Sequence, residues 1–281
     1  MNYLTKHLFA GYHVKAIENQ KDKVLGQGAH GTVYSMKGNF DLCIKESNKQ
    51  GVSRKWRNEF DIIKNIFNQI STYDNVHLND YVRIACPLQF IETVAQCYML
   101  IPRIFRADND KSNNNAIHAL LGFKNHHKIF ENRGESYGLE EIEKFYNNTE
   151  IFKKVIYELG VVIALIQYVA KNDASDIEII FGHEYSDELT EQCQNRLYVI
   201  DFDMSSTYEK ADFEWLAQCL ETVRYFPIRS KTNTRIQAVF EEFKKGYQSI
   251  AGEEFTNNVF KHYDLYNPEF SSNANNYFLR L

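Results

Sequence analysis

Residues 23–46 read KVLGQGAHGTVYSMKGNFDLCIKE, and this stretch is the strongest indication of the fold. It reads as a strand, a glycine-rich turn, a second strand, a tight turn at Lys37-Gly38-Asn39 and a third strand. Apolar runs punctuated by glycine in this way predict successive antiparallel strands joined by hairpins. The residues of this stretch that we predict to bind a cofactor are Gly26, Gly28, His30, Gly31, Val33 and Lys45.

The spacing of Gly26, Gly28 and Gly31 occurs in two kinds of nucleotide site. In dinucleotide-binding proteins the glycines precede a helix, whereas in kinases they form a loop over the ATP phosphates. Here Thr32-Val33-Tyr34 continues as a strand, which favours the ATP loop. A Walker-type loop is excluded because no Gly-Lys-Ser/Thr closes the motif. An ordinary hairpin turn is the remaining alternative.

Lys45 lies in the segment LCIKE, where Leu42 and Ile44 alternate as on a strand. A cation on a strand beside the glycine turn can reach the phosphates of a nucleotide, and it needs a carboxylate to hold it in place. Residues 53–70 have apolar side chains at helical spacing, and Glu59 lies along that apolar stripe. A carboxylate in such a position needs a partner. We therefore predict an ion pair between Lys45 and Glu59; a solvated Glu59 at the edge of the stripe is the alternative.

A second polar cluster follows residues 150–170, which predict a long, mostly buried helix. Two short apolar strands are predicted after it, at 177–181 and 197–200. If they pair antiparallel, Glu178 begins one strand, Asp201 follows the other, and the two carboxylates meet at the same end of the hairpin. Carboxylate oxygens are ligands that suit Mg²⁺. A solvated acidic loop is the alternative.

These motifs resemble the protein-kinase-like superfamily over roughly residues 20–225, in the order glycine turn, Lys45, Glu59, Asp173, Glu178 and Asp201. The segments NDASDIEIIFG, LYVIDFD and YFPI also resemble a poorly characterised kinase-like family best known from fungal proteins, in which Asp-x-x-Asp-Val-Glu-Phe occupies the catalytic loop. The resemblance implies a two-lobed α+β fold with an ATP site. It implies no particular substrate.

The resemblance also implies a role for each polar residue. Asp173 would orient the acceptor hydroxyl and take its proton. Glu178 would stand in place of the usual metal-binding Asn and hold Mg²⁺ or Mn²⁺ together with Asp201. Asp203 replaces a glycine of the family, and we expect it to cap a turn, with a further metal carboxylate as the alternative.

The chain also departs from the kinase pattern. Lys171-Asn172 replaces the His-Arg that normally precedes the catalytic Asp, and only MSSTYEKAD separates Phe202-Asp203 from the next predicted helix. The usual protein-substrate platform is therefore absent or rebuilt, and switching by activation-loop phosphate is not expected. Our prediction is an ATP-dependent kinase acting on a protein hydroxyl. A small-molecule kinase, an AMP-transferase and a pseudokinase scaffold stay open.

The composition limits the partners of the 281-residue chain. A net charge of −5 argues against broad nucleic-acid binding. No stretch is long and apolar enough to span a membrane, and no signal peptide is expected. Five cysteines without a CxxC pair predict reduced thiols in a cytoplasmic setting and no structural metal. The Asn-rich, Pro-poor composition leaves delivery into a host cell as the alternative location.

We predict a sheet-rich N-terminal lobe over 1–102 and a mainly helical C-terminal lobe over 103–281. Further predicted elements are strands at 81–92 and 95–104 and helices at 213–223 and 234–247.

Overall fold

The structure, a computed structural model, describes residues 14–27, 31–47, 53–73, 81–92, 96–107, 117–122, 135–183, 195–221 and 225–263. The first elements in chain order are α1 (Val14–Gln20), β1 (Lys21–Gln27), β2 (Gly31–Met36), β3 (Asn39–Ser47), α2 (Ser53–Ser71), β4 (Val82–Ile84), β5 (Gln89–Glu92), β6 (Cys97–Pro102) and β7 (Phe105–Arg106). They are followed by β8 (Ile117–Leu120), β9 (Glu135–Gly138), α3 (Leu139–Tyr146), α4 (Thr149–Ala164), β10 (Glu178–His183), β11 (Arg196–Ile200), α5 (Phe213–Glu221) and α6 (Thr234–Phe260).

The first sheet has five strands in the order β1-β2-β3-β6-β5, and every neighbouring pair is antiparallel. The two predicted hairpins are present: β1 pairs with β2 as far as Gln27 opposite Thr32, and Gly38 turns the chain between β2 and β3 with a φ of 70°. A positive φ is easily reached only by glycine, which explains the residue at this turn.

The two faces of this sheet pack differently. Val33, Lys45 and Met99 are successive cross-strand partners, so their side chains share one face. That face meets α2, whose Trp56 is buried with Met99 and Cys97. The opposite face buries a separate apolar cluster of Ile17, Met36, Leu42, Ile44, Tyr98 and Leu100.

The second sheet is mixed, in the order β4-β11-β10-β8-β9, with β7 also paired to β10. Strands β10 and β11 form the predicted antiparallel pair. The expectation of one strand over 81–92 is wrong, because the chain there divides into β4, parallel to β11, and β5 of the first sheet. Pro87 lies between the two pieces, where proline cannot donate a hydrogen bond to a sheet. The boundary predicted at residue 102 stays a prediction.

The C-terminal part is mainly helical, and α4 crosses α6 at two glycines. A Cβ atom at Gly160 would overlap the backbone oxygen of Phe243, and one at Gly246 would overlap the backbone oxygen of Tyr157. The absence of a side chain at both positions therefore lets the two backbones touch. This contact fixes α4, whose C-terminal end leads into the polar segment that begins at Lys171.

Two helices differ from their predicted form. The helix predicted over 150–170 is present as α4, but its end over Leu165–Val169 widens into a π-helical turn. Helix α6 continues to Phe260, beyond the predicted end at 247, across a kink at Gly252, which has a φ of 74°. Taken together, the described part of the chain is α+β, with an antiparallel sheet first and a helical region last.

The described cysteines, which are Cys43, Cys86, Cys97 and Cys219, are buried free thiols. Cys193 and the polar loop predicted at 108–116 lie outside the described residues. No helix within the described ranges combines the length and apolar character needed to cross a membrane.

Candidate functional site

The ion pair predicted between Lys45 and Glu59 is present. The Nζ atom of Lys45 lies 3.2 and 3.1 Å from the two carboxylate oxygens of Glu59. Glu59 is buried, with 4% of its surface exposed, whereas the Lys45 side chain keeps 22%. The same Nζ lies 4.9 Å from the centroid of the Trp56 ring, within the range of a cation–π contact. Glu59 and Trp56 of helix α2 therefore hold the lysine, which extends from strand β3, and leave part of it accessible.

The charges around Lys45 keep it protonated. Burial alone would lower the pKa of its ammonium group, but the carboxylates of Glu59, Asp201 and Asp203 outweigh that effect and raise the pKa. An ammonium group in this state is suited to binding an anionic group of a ligand.

Asp201 directly follows β11 and carries an unpaired oxygen. Its Oδ1 atom is buried and has no hydrogen-bond partner among the described residues. Burial raises the pKa of this carboxyl to about 7, against the attraction of Lys45, and the nearby charges of Glu59, Asp203 and Glu178 add to the rise. An unsatisfied buried oxygen with this charge environment is a costly arrangement unless a cation or a donor joins it.

Glu178 lies next to Asp201, as the predicted hairpin requires. It is the first residue of β10 and pairs in register with Ile200, one residue before Asp201. Its carboxylate Oε2 lies 3.7 Å from Nδ1 of His118, and that nitrogen lies 3.1 Å from the hydroxyl oxygen of Tyr225. His118 comes from the neighbouring strand β8, where it pairs with Ile180. A buried histidine therefore lies beside the carboxylate that we predict to bind a metal.

The residues fit a magnesium ion only in part. Within the ranges that the structure describes, no three or more His, Cys, Asp and Glu side chains are grouped so as to hold a metal. Two carboxylates are nevertheless enough for Mg²⁺, which keeps several waters and takes further oxygens from substrate phosphates. The unpaired Oδ1 of Asp201 is the observation that favours a cation here.

Asp203 extends this charge network to α2. Its carboxylate forms a 2.7 Å ion pair with Lys55, one helical turn before Glu59. This ion pair joins the loop after β11 to the helix, and the turn-capping role expected for Asp203 stays a prediction. Lys55 and Glu59 together tie α2 to Asp203 and to Lys45.

Asp173 belongs to a second group of contacts. Its Oδ1 accepts hydrogen bonds from the backbone N–H of Ser175 (3.0 Å), the Ser175 hydroxyl (2.9 Å) and the backbone N–H of Ser206 (2.9 Å). Its Oδ2 accepts from the indole N–H of Trp215 (3.0 Å). The hydrogen bonds of Asp173 thus run to Ser175, Ser206 and Trp215. Residues 201–206 connect these contacts along the chain to Asp201, which lies near Lys45 and Glu59.

The backbone on either side of Asp173 is fastened to the segment after β11. The N–H of Asp173 donates to the carbonyl oxygen of Ser206, and the N–H of Tyr208 donates to that of Lys171, each at 2.9 Å. Asn172 and Thr207 form a bridge between these bonds. Residues 171–173 and 206–208 thus run antiparallel, and their own backbone hydrogen bonds hold them together.

Gln167 of the π-helical turn holds the loop that contains Asp173. Its amide donates to the carbonyl oxygens of Asp173 (3.0 Å) and Leu216 (3.2 Å) and accepts from the hydroxyl of Tyr247 (2.8 Å). The hydroxyl of Tyr208 donates to its backbone oxygen. A π-helical turn often marks a functional site, and here it places the buried side-chain amide of Gln167 within hydrogen-bond distance of the Asp173 loop.

Left-handed backbone is concentrated in these loops. Lys171, Ala174, Asp176 and Asp201 have φ values of 49°, 58°, 57° and 59°. Non-glycine residues adopt this conformation at a cost and keep it where the surrounding structure imposes it, often at functional sites.

The glycines of the opening motif have different surroundings. A Cβ at Gly31 would lie 2.5 Å from the Trp56 ring and 2.8 Å from the Glu46 carbonyl oxygen, whereas one at Gly26 would meet none of the described residues within 4 Å. Gly31 is thus required by packing, whereas no described neighbour requires the glycine at position 26. Gly28 and His30 lie outside the described residues, and their roles in cofactor binding stay predictions.

The residues of these contacts that the sequence analysis did not predict include Lys55, His118, Gln167 and Trp215. Gln167 carried a signal, because it is the one amide in the apolar run from Gly160 to Ala170. The other three carried none, since each meets its partner through a contact between separate elements.

No protein-family model matches this chain, and no curated protein shows significant similarity to it. The resemblance to the protein-kinase-like superfamily therefore stays a prediction that rests on the residues themselves.

Proposed function

We propose that this chain is a two-lobed, protein-kinase-like phosphotransferase that uses ATP with Mg²⁺ or Mn²⁺. The observation that carries the proposal is the grouping of a lysine held by a buried glutamate with an aspartate whose buried oxygen lacks a partner among the described residues. Lys45 lies in the first sheet and Asp201 follows a strand of the second, and each shifts the pKa of the other. A cation and a carboxylate placed side by side suit the phosphate and the metal of one bound nucleotide.

The residues divide the work as follows. The amides near Gly26 and the ammonium group of Lys45 bind the phosphates, with Glu59 holding the lysine. Asp201 and Glu178 would hold Mg²⁺, which supplies neutralisation of phosphate charge. Asp173 orients the acceptor hydroxyl and accepts its proton.

The acceptor that we propose is a hydroxyl group of a protein. The short segment between β11 and α5 favours a small molecule as a second candidate acceptor. Part of this segment is already hydrogen-bonded to the Asp173 loop, so little of it is left to bind a protein substrate. Transfer of AMP in place of phosphate uses the same groups with the nucleotide reversed.

A pseudokinase scaffold is favoured by a different observation. The carboxylate of Glu178 faces His118, and that of Asp173 already accepts four hydrogen bonds. A protein that only binds a partner could keep both contacts unchanged.

The test is label transfer from ATP carrying radioactive γ-phosphate, with Mg²⁺ or Mn²⁺, to the protein itself and to a cell extract. Asp201→Ala and Lys45→Met should abolish labelling, whereas Asp41→Asn, an exposed position on β3, should leave it unchanged. Equal labelling by the wild type and Asp201→Ala would refute the mechanism. Nucleotide binding without labelling would favour the scaffold, and intact-mass measurement of a modified product separates phosphate from AMP.

A further inference from the structure

The two oxygens of the Asp173 carboxylate are in different situations. An ionised carboxylate has about four acceptor positions, two on each oxygen. Three donors already surround Oδ1, all from Ser175 and Ser206. The only donor to Oδ2 among the described residues is the indole N–H of Trp215. Any further hydroxyl that bonds to Asp173 must therefore approach Oδ2.

Trp215 contacts Oδ2, the oxygen that a further hydroxyl would approach. Trp215 is 44% exposed, although Asp173 is only 6% exposed. The backbone N–H of Trp215 donates to Oδ1 of Asp212 at 3.1 Å, which fixes the start of α5. The indole is thus a large, partly solvated surface whose N–H is aimed at one oxygen of a buried carboxylate.

We propose that Trp215 is a positioning residue for Asp173 and forms one wall of the acceptor subsite. Its N–H, together with the three donors to Oδ1, fixes the rotation of the carboxylate and leaves an acceptor position on Oδ2 beside the ring. The acceptor hydroxyl bonds there, with the carbon skeleton that bears it lying against the indole. This inference rests on the proposed function, because it assigns an acceptor to Asp173.

The contact itself can be tested without activity. The chain has two tryptophans, Trp56 and Trp215, and so gives two indole N–H signals in a ¹⁵N–¹H correlation spectrum. Trp215→Phe assigns its own signal by removing it. Asp173→Asn should shift the Trp215 signal and leave that of Trp56 in place, because of the two indoles it is that of Trp215 that donates to the replaced group. An unshifted Trp215 signal would overturn the inference whether or not the protein is an enzyme.

The kinetic arm uses ATP with water as the acceptor, followed by release of inorganic phosphate, and ATP with the protein itself as the acceptor. Trp215→Phe keeps a ring but loses the donor, and we expect kcat to fall about tenfold with KM for ATP unchanged. Tyr168→Phe alters another exposed aromatic side chain, whose ring packs against Phe255, and should leave both constants unchanged. Thermal unfolding confirms that each variant is folded.

The outcomes separate the two claims. A wild-type kcat for Trp215→Phe would overturn the positioning role and leave the proposed function intact. A rise in KM for ATP with unchanged kcat would also overturn it, because it would place Trp215 at the nucleotide. If the wild type neither binds nor turns over ATP, the proposed function fails, and the role of Trp215 fails with it.

Discussion

Replacing Asp201 by asparagine should stabilise the folded protein at neutral pH while removing its activity. The pKa of this carboxyl is raised from its ordinary value of 3.8 to about 7, chiefly by burial. Asp201 therefore binds a proton more tightly in the folded state than in the unfolded state, and its ionisation lowers the free energy of unfolding. An asparagine side chain at this position would be similar in volume and would never ionise.

The size of the effect follows from the pKa. At ~1.4 kcal/mol per pH unit, the rise corresponds to at most about 4 kcal/mol. We expect ~2 kcal/mol, because water and side-chain relaxation screen a group that is not fully buried. Since the folded-state pKa is the higher one, wild-type stability should fall as pH rises from about 4 to about 7. The advantage of Asp201→Asn should appear across that range and stay constant above it.

The assay is urea unfolding of both proteins, followed by circular dichroism from about pH 4.5 to about pH 8.5. Asp41→Asn is the matched control, because its side chain is exposed, and it should change stability by less than ~0.5 kcal/mol at every pH. A gain that is the same at both ends of the range, or a loss of stability at the alkaline end, would refute the reasoning about Asp201.

Further variants test other parts of the site. Gly31→Ala should destabilise the protein by about 1–3 kcal/mol in thermal unfolding, because its Cβ would overlap Trp56 and strand β3. Gly26→Ala should keep the stability but weaken ATP binding about tenfold, because no described residue lies within 4 Å of the added Cβ and a bound phosphate would meet it; unchanged ATP binding, or a loss of stability equal to that of Gly31→Ala, would contradict this. In a double-mutant cycle of unfolding, Lys45→Met and Glu59→Gln should show a coupling of ~1 kcal/mol, and additive effects would show that the ion pair contributes nothing. His118→Gln should raise about tenfold the Mg²⁺ concentration that half-saturates ATP binding, and an unchanged Mg²⁺ titration would remove His118 from the metal site.

Local patterns predicted the features that depend on neighbouring residues. The glycine hairpin and the pairing of Lys45 with Glu59 follow from strand and helix periodicity within a short stretch. The meeting of Glu178 with Asp201 follows from one hairpin. In each case the spacing along the chain already limited where the side chains could lie.

The other contacts depend on which elements become neighbours, and periodicity carries no such information. His118 reaches Glu178 because β8 lies beside β10, and Lys55 reaches Asp203 because α2 lies over the loop after β11. The division of residues 81–92 between two sheets has a similar origin, since a short apolar run fits either sheet equally well. All three were decided by the way distant parts of the chain pack together.

The crossing of α4 and α6 has a consequence for natural variation in this protein. Gly160 and Gly246 contribute no side chain to the site, yet the spacing of the two helices depends on both. Any replacement would push the helices apart and displace the loop that begins at Lys171. A survey of tolerated substitutions should therefore find Gly160 and Gly246 as intolerant of change as the charged residues of the site. In this fold, a position that accepts a single amino acid can be one that sets the spacing of two helices.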